Sequence, residues 1–302
     1  MSDRILITGG GGFIGRYLCR ECDRQGIDYC VLKTPEEEYS GKAVYTADIR
    51  DREALRAAIR DLRPDAVIHL AAIASAVHSD VTEIYDVNVR GTENLLEAAR
   101  DGMAQGARLV LVSTAGVYGN QQAPLLTEDL PFNPANHYSF SKMVTEILSR
   151  QYTDELDIHI VRPFNIVGSG QNKQFLIPKL VEHYARRSPQ IKLGNLDPKR
   201  DYVSVEFCAQ VMLELALSKT SQPDVVNVCS GTGHSCRQVL ELLTELTGHE
   251  PEVLSTAEFS RKNEVWSLVG STERLRQVMG ARETGPLRLV LEEMLSAAKA
   301  GG

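Results

Sequence analysis

Arg4-Ile5-Leu6-Ile7-Thr8-Gly9-Gly10-Gly11-Gly12-Phe13-Ile14-Gly15 decides the fold. Its first five residues form a short apolar run that reads as a strand, and residues 14–25 carry the periodicity of a helix. Between the two, Gly9, Gly12 and Gly15 make a G-x-x-G-x-x-G pattern. A backbone without side chains turns tightly and approaches a pyrophosphate, and the helix start offers unpaired N–H groups with a partial positive charge. Alone, the glycines mark only a flexible turn. Between a strand and a helix they read as a dinucleotide-binding loop. Phe13 and Ile14 are placed to pack that helix onto the sheet.

Outward from this loop the pattern repeats. Strand-like runs at Arg4–Thr8, 29–33, 66–70, 109–112 and 158–161 alternate with helical stretches at 14–25, Arg52–Leu62, 82–100 and 139–151. Strands that are nearly all apolar, separated by helices, signal a parallel sheet covered on both faces. The expected fold class is α/β, a doubly wound parallel sheet of Rossmann type, over residues 1–166. After Pro163 the character changes. Residues 168–174 are polar, 177–187 helical and 194–199 turn-rich; 225–229 is a late strand, and 238–247 and 287–299 are helical. Residues 167–302 read mainly as a smaller substrate-binding lobe, with segments near 200–231 returning to the first domain. There are no internal repeats and no low-complexity linkers.

With 33 Lys+Arg against 40 Asp+Glu, the 302-residue chain carries a net charge of −7, which argues against a general nucleic-acid partner. Hydrophobic residues make up 43% and charged residues 24%, enough apolar material for a sizeable core. No apolar run approaches a membrane span, and the first residues lack a signal-peptide pattern, so the expected compartment is the cytoplasm. Cys19 and Cys22 form a C-x-x-C, but it sits inside a predicted helix with no second pair. Two packed or surface thiols are the better reading, and no metal site is expected.

The end of the second strand reads the adenosine ribose: an acid there accepts the 2′-hydroxyl of NAD, and a basic group suits the 2′-phosphate of NADP. Here the segment is Val31-Leu32-Lys33-Thr34, with no acid at its tip. Lys33 therefore favours NADP(H), with NAD as the alternative should the side chain point into solvent. Further on, Tyr138-Ser139-Phe140-Ser141-Lys142 is a Y-x-x-x-K at the start of a helix, and the i, i+4 spacing puts both side chains on one face. A nearby ammonium and a positive nicotinamide ring both favour phenolate, so Tyr138 is expected below the usual phenol value near 10, ready for acid–base work. Ser113 and Thr114 end the strand at 109–112, where ligands collect beyond a parallel sheet; Thr114 is placed to hydrogen-bond a substrate oxygen.

These features together resemble the extended short-chain dehydrogenase/reductase family, the sugar-nucleotide epimerases, dehydratases and reductases, over nearly the whole chain. The resemblance implies further roles. In Ala47-Asp48-Ile49-Arg50-Asp51, Asp48 matches the adenine partner, with Ile49 beside it. His69-Leu70-Ala71-Ala72 matches a cofactor-lining segment, and Asn88 a family helix position. Ser113 and Pro163 fall on cofactor-side positions, and Asn165 in Arg162-Pro163-Phe164-Asn165 on a substrate-diphosphate contact. Arg200 and Arg261 would clamp the diphosphate, and Glu264 would reach a ribose hydroxyl.

Absences narrow the implied reaction. Family 4,6-dehydratases carry an acidic pair directly after the catalytic hydroxyl, where this chain has Ala115 and Gly116; the cysteine of the 3,5-epimerases, which would fall near Gly116, is missing too. What remains needs only a hydride and one proton. The stretches 162–171 and 226–231 most resemble reductases acting on GDP-4-keto-6-deoxy-mannose. The resemblance thus implies reduction of a C4 ketone on a nucleotide-linked deoxy sugar, with Tyr138 as proton donor, Lys142 tuning it and holding ribose, and Thr114 orienting the carbonyl. The alternatives are an NAD-dependent C4 epimerase and, on the same fold, a non-catalytic cofactor sensor. His137 stands where the family usually has Pro and reads as a neutral variation. A homodimer through helices near 82–100 and 139–151 is implied by resemblance.

Overall fold

The computed structural model describes residues 4–36, 39, 41, 43–74, 78–104, 106–255 and 264–300. The first half alternates as its pattern predicts: β1 (Arg4–Thr8), α1 (Phe13–Gln25), β2 (Asp28–Lys33), β3 (Val44–Thr46), α2 (Arg52–Leu62) and β4 (Ala66–His69). Next come α3 (Val81–Tyr85), a π-helical turn at Asp86–Arg90, α4 (Gly91–Gly102), β5 (Arg108–Val112), α5 (His137–Ser149) and β6 (Asp157–Pro163). Two expectations are corrected here. The single helix over 82–100 is three segments, because the chain widens to i→i+5 bonding at Asp86–Arg90; apolar periodicity does not register such a turn. The helix over 139–151 begins earlier, at His137, because the Asn136 side chain accepts the Ser139 N–H and caps it. Tyr138 and Lys142 therefore both stand within α5.

The second half contributes β7 (Asn165–Val167), α6 (Leu176–Ala185), β8 (Gln190–Leu193), β9 (Lys199–Ser204), α7 (Val205–Leu217) and β10 (Val225–Val228). It ends with β11 (Gly233–Ser235), α8 (Cys236–Thr247), β12 (Glu252–Ser255), β13 (Ser267–Leu268), α9 (Glu273–Met279) and α10 (Leu287–Ala300). The main sheet has the order β10-β6-β5-β4-β1-β2-β3 with every pair parallel. Alternate side chains face opposite layers. Ile5, Ile7, Ile68 and Val110 pack with α1 and α7, while Leu6, Val67, Leu109 and Leu111 pack with α2 and α4. Both faces are dry, which is why these strands read as continuous apolar runs. A smaller sheet, β11-β9-β13 with β7 also on β9, and a separate pair, β12-β8, accompany a third core between α6, α8 and α10. The fold thus sets the carboxyl ends of β1, β4, β5 and β6 in a row, beside the start of the small sheet.

Candidate active site

The glycine loop is built for close approach. Gly9 has φ of +71°, and a Cβ there would lie 2.9 Å from the Ala71 nitrogen. At Gly15 a Cβ would lie 2.4 Å from the Gly9 carbonyl oxygen, so loop and helix meet only because that side chain is absent. Gly12 caps α1 with no side-chain hydrogen bond, leaving the first-turn N–H groups for an anion. Phe13 and Ile14 are half-buried against the α1–α7 core.

The rest of the expected cofactor cradle lies along the same edge. Lys33 is the last residue of β2 and is half-buried. Asp48 is engaged by Arg50, whose guanidinium reaches it at 2.6 Å and whose backbone N–H donates at 2.8 Å; the guanidinium holds the carboxyl below its usual range. Ile49 is buried, and its carbonyl accepts from Asn94 on α4. Leu70 and Ala71 donate their N–H groups to the carbonyl and the hydroxyl of Thr8, so the β4 segment through Ala72 is laced to β1. Pro163 is buried at the end of β6.

Beneath this edge runs a fully paired polar line. Thr8 donates to His69 Nδ1 at 2.8 Å, because the neutral ring carries its one proton on Nε2, which faces Thr92. Thr92 donates to the Asn88 carbonyl, so it accepts from His69 Nε2 at 3.0 Å, and the tautomer is fixed. Burial, reinforced by the Lys142 charge, pushes His69 down to about 3, so the ring is neutral. Asn88, in the π-helical turn, grips the Ile73 backbone and donates to Ser141 on α5.

Tyr138, Lys142 and Thr114 come together between α5 and the end of β5. The Thr114 hydroxyl stands beside the Tyr138 phenol and accepts the Gly116 N–H at 3.1 Å. The expected downward pull on Tyr138 is corrected: burial pushes the phenol up to about 12 against the opposing influence of the Thr114 hydroxyl, so it is protonated at neutral pH. Lys142 is buried, donates to the Val112 carbonyl at 2.8 Å, and is pushed down to about 8 by burial while the Glu146 carboxylate pulls the other way. The Ser113 hydroxyl, an expected cofactor contact, instead donates to Glu146. Its N–H donates to the Val161 carbonyl, so both of its donors are engaged within the protein. A Cβ at Gly116 would lie 2.3 Å from Ser139 Oγ, so a side chain there requires that hydroxyl to turn away, and Ala115 is buried among Tyr118, Phe164 and Cys229.

Two residues of this floor had no assigned role in the sequence reading. Glu146 is 0% exposed and clasped by Arg162 through Nε at 3.1 Å and Nη2 at 2.7 Å. Arg162 also donates to the Tyr118 hydroxyl and the Glu128 carbonyl, and Tyr118 in turn donates to Asn227 on β10. A signal existed: residues 138, 142 and 146 repeat at four-residue spacing, and a carboxylate on that face must find a cation.

Of the residues expected on the substrate side, Asn165, Arg200 and Glu264 line one cavity of about 250 Å³, together with Gln171 and Tyr202. Arg200 is held by Glu264 at 3.2 Å and by the Val265 carbonyl at 2.7 Å. Asn165 Oδ1 and Gln171 Oε1 are buried, and among the described residues neither has a hydrogen-bond partner. Gln171 is a further residue without a prior role; its amide nitrogen donates to the Ile166 carbonyl, which leaves its buried oxygen as an acceptor. Arg261 lies outside the described residues. His137 is exposed and bonded to the Tyr85 hydroxyl at 3.0 Å. Cys19 and Cys22 are buried in α1, where burial raises both thiols, Cys22 to about 12. Among the described residues no helix is long and apolar enough to cross a membrane.

A family model, the NAD dependent epimerase/dehydratase family, matches residues 5–229. The GDP-6-deoxy-D-talose 4-dehydrogenase of Aggregatibacter actinomycetemcomitans is 36% identical over 296 residues, 96% of each chain. Among solved structures, the UDP-glucose 4-epimerase of Thermus thermophilus in complex with NAD superposes with a TM-score of 0.84 at 27% identity, over 99% of this chain and 100% of that one. RMD from Pseudomonas aeruginosa, complexed with NADPH, superposes at 0.85 with 28% identity over 100% of both chains.

Proposed function

The chain belongs to the NAD dependent epimerase/dehydratase family, and from that premise we propose that it reduces the C4 ketone of a nucleotide-linked 6-deoxyhexose, with a GDP sugar as the first candidate. One observation carries the reading: a half-buried, protonated phenol stands beside the Thr114 hydroxyl at the end of β5, and the next two positions, Ala115 and Gly116, hold no acid. Such a site supplies one proton and no elimination chemistry.

The cradle at Gly9, Gly12 and Gly15 fits a dinucleotide, and when bound a reduced nicotinamide supplies the hydride. The chain's own groups do the rest. Thr114 donates to the ketone oxygen and fixes its direction. Tyr138 gives its proton to that oxygen as negative charge develops, help worth about 10²–10⁴ in rate. Lys142, anchored on Val112, stabilises the phenolate left behind. Arg200 pairs with the diphosphate, and Asn165 and Glu264 hydrogen-bond the nucleotide. Lys33 at the tip of β2 supports NADP(H), as does the likeness to the NADPH-bound Pseudomonas structure. Phe140 and Ile147 are 44% and 45% exposed on α5, which supports a homodimer through that face.

The test incubates the protein with nucleotide 4-keto sugars, beginning with GDP-4-keto-6-deoxy-mannose, plus NADPH or NADH, and follows absorbance of the reduced nicotinamide. One cofactor consumed per sugar is expected, with NADPH preferred about threefold to tenfold and the preference lost in Lys33→Ala. The likeness to UDP-glucose 4-epimerases favours a second reading, in which two sugars interconvert with no net cofactor consumption.

A further inference from the structure

Tyr138, Lys142 and Glu146 stand on one face of α5, one turn apart, and each holds a different one of three consecutive residues at the end of β5. Tyr138 meets the Thr114 hydroxyl, Lys142 the Val112 carbonyl and Glu146 the Ser113 hydroxyl. The first two contacts belong to the site described above. The third lies below it, fully buried, with the carboxylate forked onto Arg162 of β6. Arg162 is itself tied to Tyr118 and to the Glu128 carbonyl, and Asn227 of β10 donates its N–H to the Glu128 carboxylate. The ends of β5 and β6 and helix α5 thus meet at the Glu146 carboxylate, and β10 joins them through Arg162, Tyr118 and Glu128.

We propose that Glu146 is a positioning residue for this reaction: by accepting from Ser113 and clasping Arg162 it locks the β5 end against α5, and so sets where Thr114 stands relative to Tyr138 and Lys142. The inference rests on the proposed reduction. Ser113 sits between the residue that anchors Lys142 and the one that meets Tyr138, so any slip of Ser113 displaces both partners together. Misplacement of reacting groups by about 1 Å lowers rates by about a hundredfold. A purely structural ion pair makes a different demand, since apolar side chains of similar volume replace such pairs without loss of stability.

The experiment follows from that difference. Glu146→Leu combined with Arg162→Met removes the clasp and both of its charges together. Calorimetric Tm, NADPH Kd by fluorescence, and kcat and KM with GDP-4-keto-6-deoxy-mannose are measured beside the wild type. A near-native Tm is expected, with NADPH Kd and KM within about threefold and kcat per bound cofactor down about tenfold to a hundredfold. Recovery of both Tm and kcat overturns the proposal. Should the double variant fail to fold, Ser113→Ala decides: kcat is expected to drop about threefold to tenfold at unchanged Tm, and a wild-type kcat overturns it. A wild type inert toward every 4-keto sugar sinks the proposed function instead. Crystal structures of the wild type and of whichever variant folds then judge Glu146, because an unchanged placement of Thr114 beside Tyr138 in the variant overturns its role, and a displacement seen only there supports it.

Discussion

The floor beneath Tyr138 and the cavity beside Arg200 meet at the junction of β6 and β7, yet they handle hydrogen bonds in opposite ways. On the floor, His69, Thr92, Asn88, Glu146, Arg162 and Tyr118 are buried and hydrogen-bonded to one another or to the backbone. In the cavity, two buried amide oxygens, Asn165 Oδ1 and Gln171 Oε1, have no partner among the described residues, and Arg200 is half-buried. A satisfied network is rigid, and an unmet acceptor costs free energy until a donor arrives. The floor is therefore prepared for chemistry before any ligand binds, and the cavity is completed by what it recognises.

The comparison can be broken at either end. Its largest expected effect is at Tyr138. Tyr138→Phe should lower kcat by about 10²–10⁴ while KM and cofactor Kd hold, because the phenol contributes a proton rather than binding. Steady-state rates with a cofactor titration check this, and a shifted KM would show that floor and cavity are not separate. Arg200→Ala should do the reverse. Loss of charge-assisted hydrogen bonds worth about 1.5–3 kcal/mol should raise the KM for nucleotide sugar about tenfold to a hundredfold, with kcat changed by less than about threefold.

A third effect tests whether the floor is dry. His69 is pushed down from its usual 6.5 to about 3. Between those values the unfolded chain binds a proton that the folded chain does not, so stability falls as pH falls through that window. The slope is about 1.4 kcal/mol per pH unit at most. Urea unfolding of the wild type and of His69→Gln from pH 7 to pH 4 should show the wild type losing more stability; parallel curves would mean that the imidazole is solvated.

How much of this was legible in the sequence follows from the same division. The glycine loop, the buried strands and the Tyr138–Lys142 spacing are local patterns, and local patterns survive in one dimension. α7 was not read because nine of its thirteen residues are buried, so it has little polar face to set a period. β3, with three residues, is too short to signal. Ser113 was read by its place at a strand end, but its hydroxyl turns toward Glu146, thirty-three residues away. Arg162 was quoted only as part of a segment, since an arginine's partners are a matter of three-dimensional neighbours. Gln171 had a place in a polar loop and no visible reason to aim its oxygen inward.

The seventh strand of the main sheet has a consequence for how the protein is made. β6 ends at Pro163, and its outer neighbour β10 does not begin until Val225, about sixty residues later. At translation speeds of about 5–20 residues per second, the emerging chain carries a bare apolar edge for roughly 3–12 seconds. Until β10 arrives, Tyr118 and Glu128 also lack Asn227. Synthesis thus passes through an interval in which the nucleotide half is nearly formed but its border is adhesive, and a shielding chaperone would matter most there.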